Sequence, residues 1–177
     1  MAFKRIHPTL TAEQLRVALD YDPLTGVLTW RHRDDVLPRV NKRFIGKAAG
    51  CDDGQCGYIS IRLFDRLYQA HRLAWLHMTG EWPSRLIDHI DLDPKNNRWS
   101  NLRLATTSQN MSNTTAPRHN TSGVKGVTWN KRHRKWQAQV QVDSKGYFLG
   151  LYDTIEEAAK ARHEGAARLH KEFARFS

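Results

Sequence analysis

The chain has 177 residues and 40% of them are hydrophobic, which is enough apolar material for a core and excludes wholesale disorder. Its 28 Lys and Arg against 18 Asp and Glu give a net charge of +10. No apolar run approaches the roughly eighteen residues that cross a bilayer, and the opening Met1–Leu15 stretch lacks the apolar segment of a secretion signal, so the expected location is the cytoplasm of a bacterial or phage-infected cell.

Thr11-Ala-Glu-Gln14 is a capping-box pattern that predicts a short helix through about Leu19. Tyr21–Gly26 reads as a turn and Val27–Trp30 as a short strand. Residues 31–56 read as irregular and charged. Within them Cys51 and Cys56 form one C-x4-C pair with no second pair nearby, too few ligands for a zinc knuckle and no basis for a disulfide framework. Gly57–Phe64 alternates, with Ile59, Ile61 and Leu63 on one face; a turn at Asp65-Arg66 makes a hairpin ending near Ala70. His71–Thr79 is helical in pattern and is stopped by Gly80 and Pro83.

Leu86–Ile90 and Asn101–Ala105 read as two strands around a loop rich in Asp, Asn and Pro, and Thr107 or Ser108 can cap a following helix that carries Asn110. Residues 112–122 have almost nothing to bury and read as a linker. Beyond it, Val124–Trp129, Trp136–Val142 and Tyr147–Tyr152 read as three strands, and Thr154-x-x-Glu157 opens a helix through about His170. Strict alternation puts Trp136, Ala138, Val140 and Val142 on one face and Gln137, Gln139 and Gln141 on the other. One helix covers only one sheet face, which leaves the glutamine face open.

The charge is uneven. Residues 1–117 carry a net +4 and residues 118–177 a net +6, and no acidic residue occurs from Pro94 to Val142. A solvated face normally mixes signs, so so long a one-signed stretch points to a polyanionic partner, nucleic acid first, over a merely soluble basic protein.

Asp88-His89, Asn101 and Asn110 carry the candidate chemistry. Phosphodiester hydrolysis needs an activated water, a Lewis acid and groups that hold both in line. His89 suits the role of base because histidine titrates near neutrality. Asp88 and Asn110 offer hard oxygens that suit a magnesium-type cation. Taken singly, each also has an ordinary structural reading as a turn cap or a packed histidine.

HRLAW followed by IDHIDLDPKNNRWSNLRLATTSQN, residues 71–110, resembles the HNH endonuclease motif, in particular its phage and intron-encoded homing branch. The resemblance implies an α+β chain with a ββα-metal nuclease region. It implies one divalent cation, Mg2+ or Mn2+, held by Asp88 and Asn110, with His89 as general base and Asn101 orienting it across the loop. Asn96 and Asn97 read as loop-bracing residues, and His71 and Arg72 as supports of the site, phosphate contacts or packing residues.

SGVKGVTWNKRHRKWQAQV and FLGLYDTIEEAAKARHEGAARLH resemble the plant APETALA/ethylene-response-factor DNA-binding domain, a three-stranded antiparallel sheet packed on one helix. Matching positions imply DNA-facing roles for Lys125, Thr128, Asn130, Lys135, Gln139, Gln141 and Phe148. Lys131, Arg132 and Arg134, in the first hairpin loop beside Lys135, are expected on phosphates. Where the plant domain has arginines, Thr128, Asn130 and Gln141 stand here, so its target sequence does not transfer; Gln and Asn can instead read adenine.

The expected organisation is therefore a nuclease region at 1–111 with its core motif at 71–111, a linker at 112–122 and a DNA-binding domain at 123–177. The expected activity is metal-dependent cleavage of double-stranded DNA, by a monomer or a DNA-templated dimer, with no membrane partner. The rival is a non-catalytic DNA-binding regulator with a vestigial nuclease core. An RNA-binding protein is the weaker third reading, because sheet insertion requires a wide major groove.

Overall fold

A computed structural model describes residues 10–52, 54, 57–114, 120–143 and 145–170. The chain divides into two compact units, residues 1–104 and 105–177, and both are mixed α+β with antiparallel sheets. Among the described residues no helix is long and apolar enough to cross a membrane.

In the first unit, helix α1 (Ala12–Ala18) starts at the Thr11–Gln14 capping box, both halves of which form. It runs directly into strand β1 (Leu19–Asp22), which pairs with β2 (Val27–Trp30). Helix α2 (Pro38–Phe44) and the short strand β3 (Cys51–Asp52) occupy the segment expected to be irregular. Strand β3 pairs with β4 (Ile59–Leu63), and β4 with β5 (Arg66–Gln69), in the order β3-β4-β5. The β4–β5 turn is Phe64-Asp65, one residue earlier than expected, with φ of 48° and 60°. Positive φ at both central residues is the type I′ geometry that matches strand twist. Cys51 is exposed, and Cys56 lies outside the described residues.

Helix α3 (Ala70–Thr79) follows and ends at Gly80, whose φ of 81° closes it. Leu73 and Leu76 join Leu15, Leu19, Ile61 and Leu63 as fully buried side chains of the core. Helix α3 packs on α1, β4 and β5. Strand β6 (Leu86–His89) pairs with β7 (Leu102–Ala105), and a 3-10 turn (Trp99–Asn101) leads into β7.

In the second unit, α4 (Thr107–Ser112) is capped by Thr106, whose hydroxyl accepts from the Gln109 N–H while Gln109 returns a bond to the Thr106 N–H. The cap thus sits one residue before the expected Thr107. Strands β8 (Val127–Asn130), β9 (Lys135–Val142) and β10 (Lys145–Tyr152) form a sheet with β9 at its centre, and α5 (Ile155–His170) packs against it. Val127, Ala138 and Ala158 make its core. Arg162, in the middle of the small-residue stripe of α5, is buried, and burial holds its guanidinium below the usual range. Residues 115–119 of the expected linker lie outside the described residues.

Candidate active site of the first unit

Asp88 and His89 are consecutive on β6, so their side chains leave the strand in different directions and find different partners. Both are buried, at 3% and 6% exposure. The Asp88 carboxylate meets the Arg103 Nε at 2.8 Å. Arg103 sits on β7, the paired strand, and its charge offsets the cost of burying the carboxylate. Arg103 was visible in the sequence only as one cation among many.

His89 turns into a cage of aromatic and amide groups. His71, on the first turn of α3, meets it edge to face with ring centroids 5.1 Å apart. Tyr58 packs on both imidazoles, 5.1 Å from His71 and 5.9 Å from His89. His71 is held far below the ordinary histidine range, at about 3, first by burial and then by His89 and Arg72. It is therefore a neutral wall of the site at any physiological pH.

The Asn97 Oδ1 lies 3.3 Å from the His89 Nε2. The other end of that amide is committed, because Nδ2 donates to the Lys95 carbonyl at 3.2 Å. An amide oxygen only accepts, so in this contact the His89 Nε2 is the donor. Asn97 is itself buried and is held from the N-terminal hairpin, where the Tyr21 hydroxyl donates to its carbonyl at 2.7 Å. Burial, and then Asp22, push that phenol up to about 12. Two residues on, the Trp99 N–H donates to Pro23 O at 3.0 Å. Gly26, with φ of 77°, lies so close that a Cβ there would collide with the backbone of Asn97 and Arg98. Trp75 of α3 packs at a tilt against Trp99, ring centroids 5.0 Å apart, at the far end of the loop.

Asn101 crosses the loop, but it ends on Asp91 and Asn96. Its Oδ1 accepts from the Asp91 N–H at 3.0 Å, and its Nδ2 donates to Asp91 Oδ1 at 2.9 Å and to Asn96 O at 2.8 Å. Its own carbonyl accepts from the Ile90 N–H at 3.0 Å, so Asn101 sets the strand ends on which His89 rides. Burial opposes ionisation of Asp91, but donors from Asn96, the Asp93 N–H and Asn101 outweigh it and hold the carboxyl below the usual range. A side-chain hydrogen bond to His89 comes from Asn97, a residue that reads in the sequence as loop-bracing. Nothing periodic in DPKNN marks Asn97; the folding of the loop brings it to the imidazole.

Asn110 is the fourth residue of α4 and belongs to the second unit. In that unit α4 is tied to the sheet. The Asp143 N–H donates to Ser108 Oγ at 2.8 Å, and the Lys125 ammonium reaches Met111 O, Thr114 O (3.0 Å) and Thr114 Oγ1 (2.9 Å). Lys125, expected on DNA, thus neutralises the carbonyl end of α4.

The other expected DNA-facing residues lie as the alternation requires. The register pairs Asn130 with Lys135 and Phe148 with Gln139, and places Gln141 opposite Gly146. Thr128, Gln139, Gln141 and Phe148 are exposed on the face away from Val127 and Ala138. The Asn130 Nδ2 donates to Gln137 Oε1 at 2.9 Å, adding Gln137 to this amide row. Lys131, Arg132 and Arg134 are exposed in the β8–β9 turn, while Lys135 pairs with Asp153 at 3.1 Å.

Residues 68–112 match the HNH endonuclease family, so this segment of the chain is an HNH endonuclease segment. Over a longer stretch the chain belongs to the same family as Protein 3.8 of Escherichia phage T7. The two are 36% identical over 121 residues, 66% of this chain and 97% of that protein. The HNH homing endonuclease I-HmuI, solved in a study of its DNA binding and cleavage, shares 27% identity with a TM-score of 0.40. That comparison covers 54% of this chain and 51% of I-HmuI, so the chain spans about half the length of that enzyme.

Proposed function

We propose that the chain is a metal-dependent DNA endonuclease that hydrolyses phosphodiester bonds in duplex DNA, working in a phage-infected bacterial cell. The observation that carries this reading is the buried imidazole of His89 inside a segment that matches the HNH endonuclease family. His89 is buried, oriented by Asn97 and walled by His71 and Tyr58, with the Asp88 carboxylate next to it in sequence.

In this reading His89 accepts a proton at Nδ1 from the water that attacks phosphorus, and Asn97 stabilises the imidazolium through Nε2–H. Asn101 keeps the loop ends together so that His89 and Asp91 hold their register. Among the described residues no group of three or more His, Cys, Asp and Glu is placed to hold a metal ion. The family resemblance implies Asp88 and Asn110 as its donors, hard oxygens that suit Mg2+ or Mn2+ keeping several waters rather than a structural zinc. Such a cation supplies Lewis-acid stabilisation of charge on the phosphate and on the leaving 3′ oxygen. The products are then a 5′-phosphate and a 3′-hydroxyl.

The second unit is proposed to read sequence, as the likeness to the plant DNA-binding domain implies. Its open face offers Thr128, Asn130, Gln139, Gln141 and Phe148, flanked by Lys131, Arg132 and Arg134, with amides able to pair with adenine in the major groove. A tethered reader raises the local concentration of the nuclease at chosen sites. Supercoiled plasmid incubated with the protein and Mg2+ or Mn2+, with a chelator control, tests the activity. Relaxation that the chelator abolishes is expected. Plasmid that is bound yet stays supercoiled would favour the regulator reading.

A further inference from the structure

Helix α2 is out of keeping with the rest of the first unit. None of its residues is buried, and it lies in a sixteen-residue acid-free stretch, Val36–Cys51, that carries Arg39, Lys42, Arg43 and Lys47. All four cations are exposed, and among the described residues none of them makes an ion pair. Two other cations of the unit are paired instead, Arg33 with Asp35 and Lys95 with Asp52.

The helix is nevertheless well fixed. Asn41 accepts from the Arg33 N–H at 3.0 Å and donates to the Arg33 carbonyl at 2.7 Å. The Phe44 ring leans on Trp30 at 6.3 Å, and the Gly46 N–H donates to Trp30 O at 2.8 Å. With 3.6 residues per turn, Val40, Asn41 and Phe44 form one side of α2, while Arg39, Lys42 and Arg43, at i, i+3 and i+4, form the other. Asn41 and Phe44 thus hold the helix by its back; Arg39 and Lys42 stand on the front with Arg43 beside them, its guanidinium resting over the Phe44 ring at 5.1 Å. Like charges at that spacing repel, so the face is unfavourable until an anion meets it.

We propose that α2 is a second DNA-contacting element, laid by its Arg39/Lys42/Arg43 face against the phosphate backbone of the duplex that the first unit cuts. This rests on the endonuclease reading and adds to it a contact outside both the HNH segment and the amide-rich sheet. Three cations on one and a half helical turns suit a row of phosphates, and they read no base, so the element grips without selecting.

The test is the salt dependence of binding to a short fluorescein-labelled duplex, for wild type and for Arg39→Gln/Lys42→Gln/Arg43→Gln. Each phosphate contact contributes about 0.9 to the slope of log affinity against log salt, so the triple variant is expected to lose about one to three from that slope. A charge-keeping control, Arg39→Lys/Arg43→Lys, is expected to retain the wild-type slope. The pattern of preferred cleavage sites is expected to stay the same. A fall smaller than about one, or an equal fall in the charge-keeping control, would overturn the role of α2 and leave the endonuclease reading standing. Wild type that binds no duplex at all would overturn both.

Discussion

Replacing Asn97 with leucine tests how the base is prepared. Leucine keeps the volume but removes the acceptor 3.3 Å from the His89 Nε2 and the donor to Lys95 O. The Tyr21 bond goes to the Asn97 backbone carbonyl, so it survives the change. A neutral hydrogen bond of this length contributes roughly 1 kcal/mol net, and in a buried site the loss is felt as an unsatisfied Nε2–H. At about 1.4 kcal/mol per tenfold, kcat for nicking is expected to fall roughly fivefold to tenfold, with KM for DNA unchanged because the Asn97 side chain is buried from solvent. Initial nicking rates over a range of plasmid concentrations give both constants. Selective 15N labelling of histidine reports which His89 nitrogen carries the proton: Nε2 in the wild type, a mixture in the variant. Unchanged kcat, or a wild type protonated on Nδ1, would refute the assignment of Asn97 as the residue that sets the tautomer.

The depressed pKa of His71 makes stability depend on pH. The unfolded chain takes up the proton below about 6.5 and the folded chain only near 3, so stability is complete above that window and falls as pH drops through it. The limiting slope is about 1.4 kcal/mol per pH unit, and chemical denaturation of His71→Phe from pH 7 to pH 4 should show an acid limb shallower by one proton; an unchanged limb would count against it. Gly26→Ala places a side chain at φ of 77° against the backbone of the Asn97 loop. A loss of about 2 kcal/mol or more is expected, measured by thermal melting, and a wild-type melting temperature would show that the hairpin does not press on the loop. Gln139→Ala/Gln141→Ala should relax site preference, at roughly 1–3 kcal/mol per lost base contact, while nicking at saturating DNA is kept; cleavage-site sequencing that returns an unchanged preference would contradict the sheet as reader.

Much of this architecture is written in local patterns. The Thr11–Gln14 box places α1, and the Trp136–Val142 alternation separates a packed face from an amide face as the register of β9 shows. The HNH segment is legible because its residues keep fixed spacing around one hairpin. What escaped depends on packing that no local pattern encodes. Strand β1 follows α1 with no breaker between them, so Leu19 reads as the helix end and Tyr21-Asp22 as the start of a turn. Helix α2 has no buried residue and hence no apolar period to detect. Asn97 and Tyr58 reach His89, and Tyr21 reaches Asn97, only after the loop is folded against the N-terminal hairpin and α3. Arg103 meets Asp88 only because β6 and β7 pair. Arg162 is buried on α5 with Ala158 and Ala166, where nothing local in the sequence marks a charged residue for burial.

A single measurement bears on all of this: single-turnover nicking of supercoiled plasmid in Mg2+ by wild type and by His89→Ala, at enzyme concentrations where both bind the DNA fully. Wild type should convert plasmid to a nicked form that DNA ligase reseals, as 5′-phosphate and 3′-hydroxyl ends allow, and His89→Ala should be slower by at least about a hundredfold, the low end of what a general base contributes. Equal rates from the two proteins would contradict His89 as the base and with it the chemistry proposed for this site.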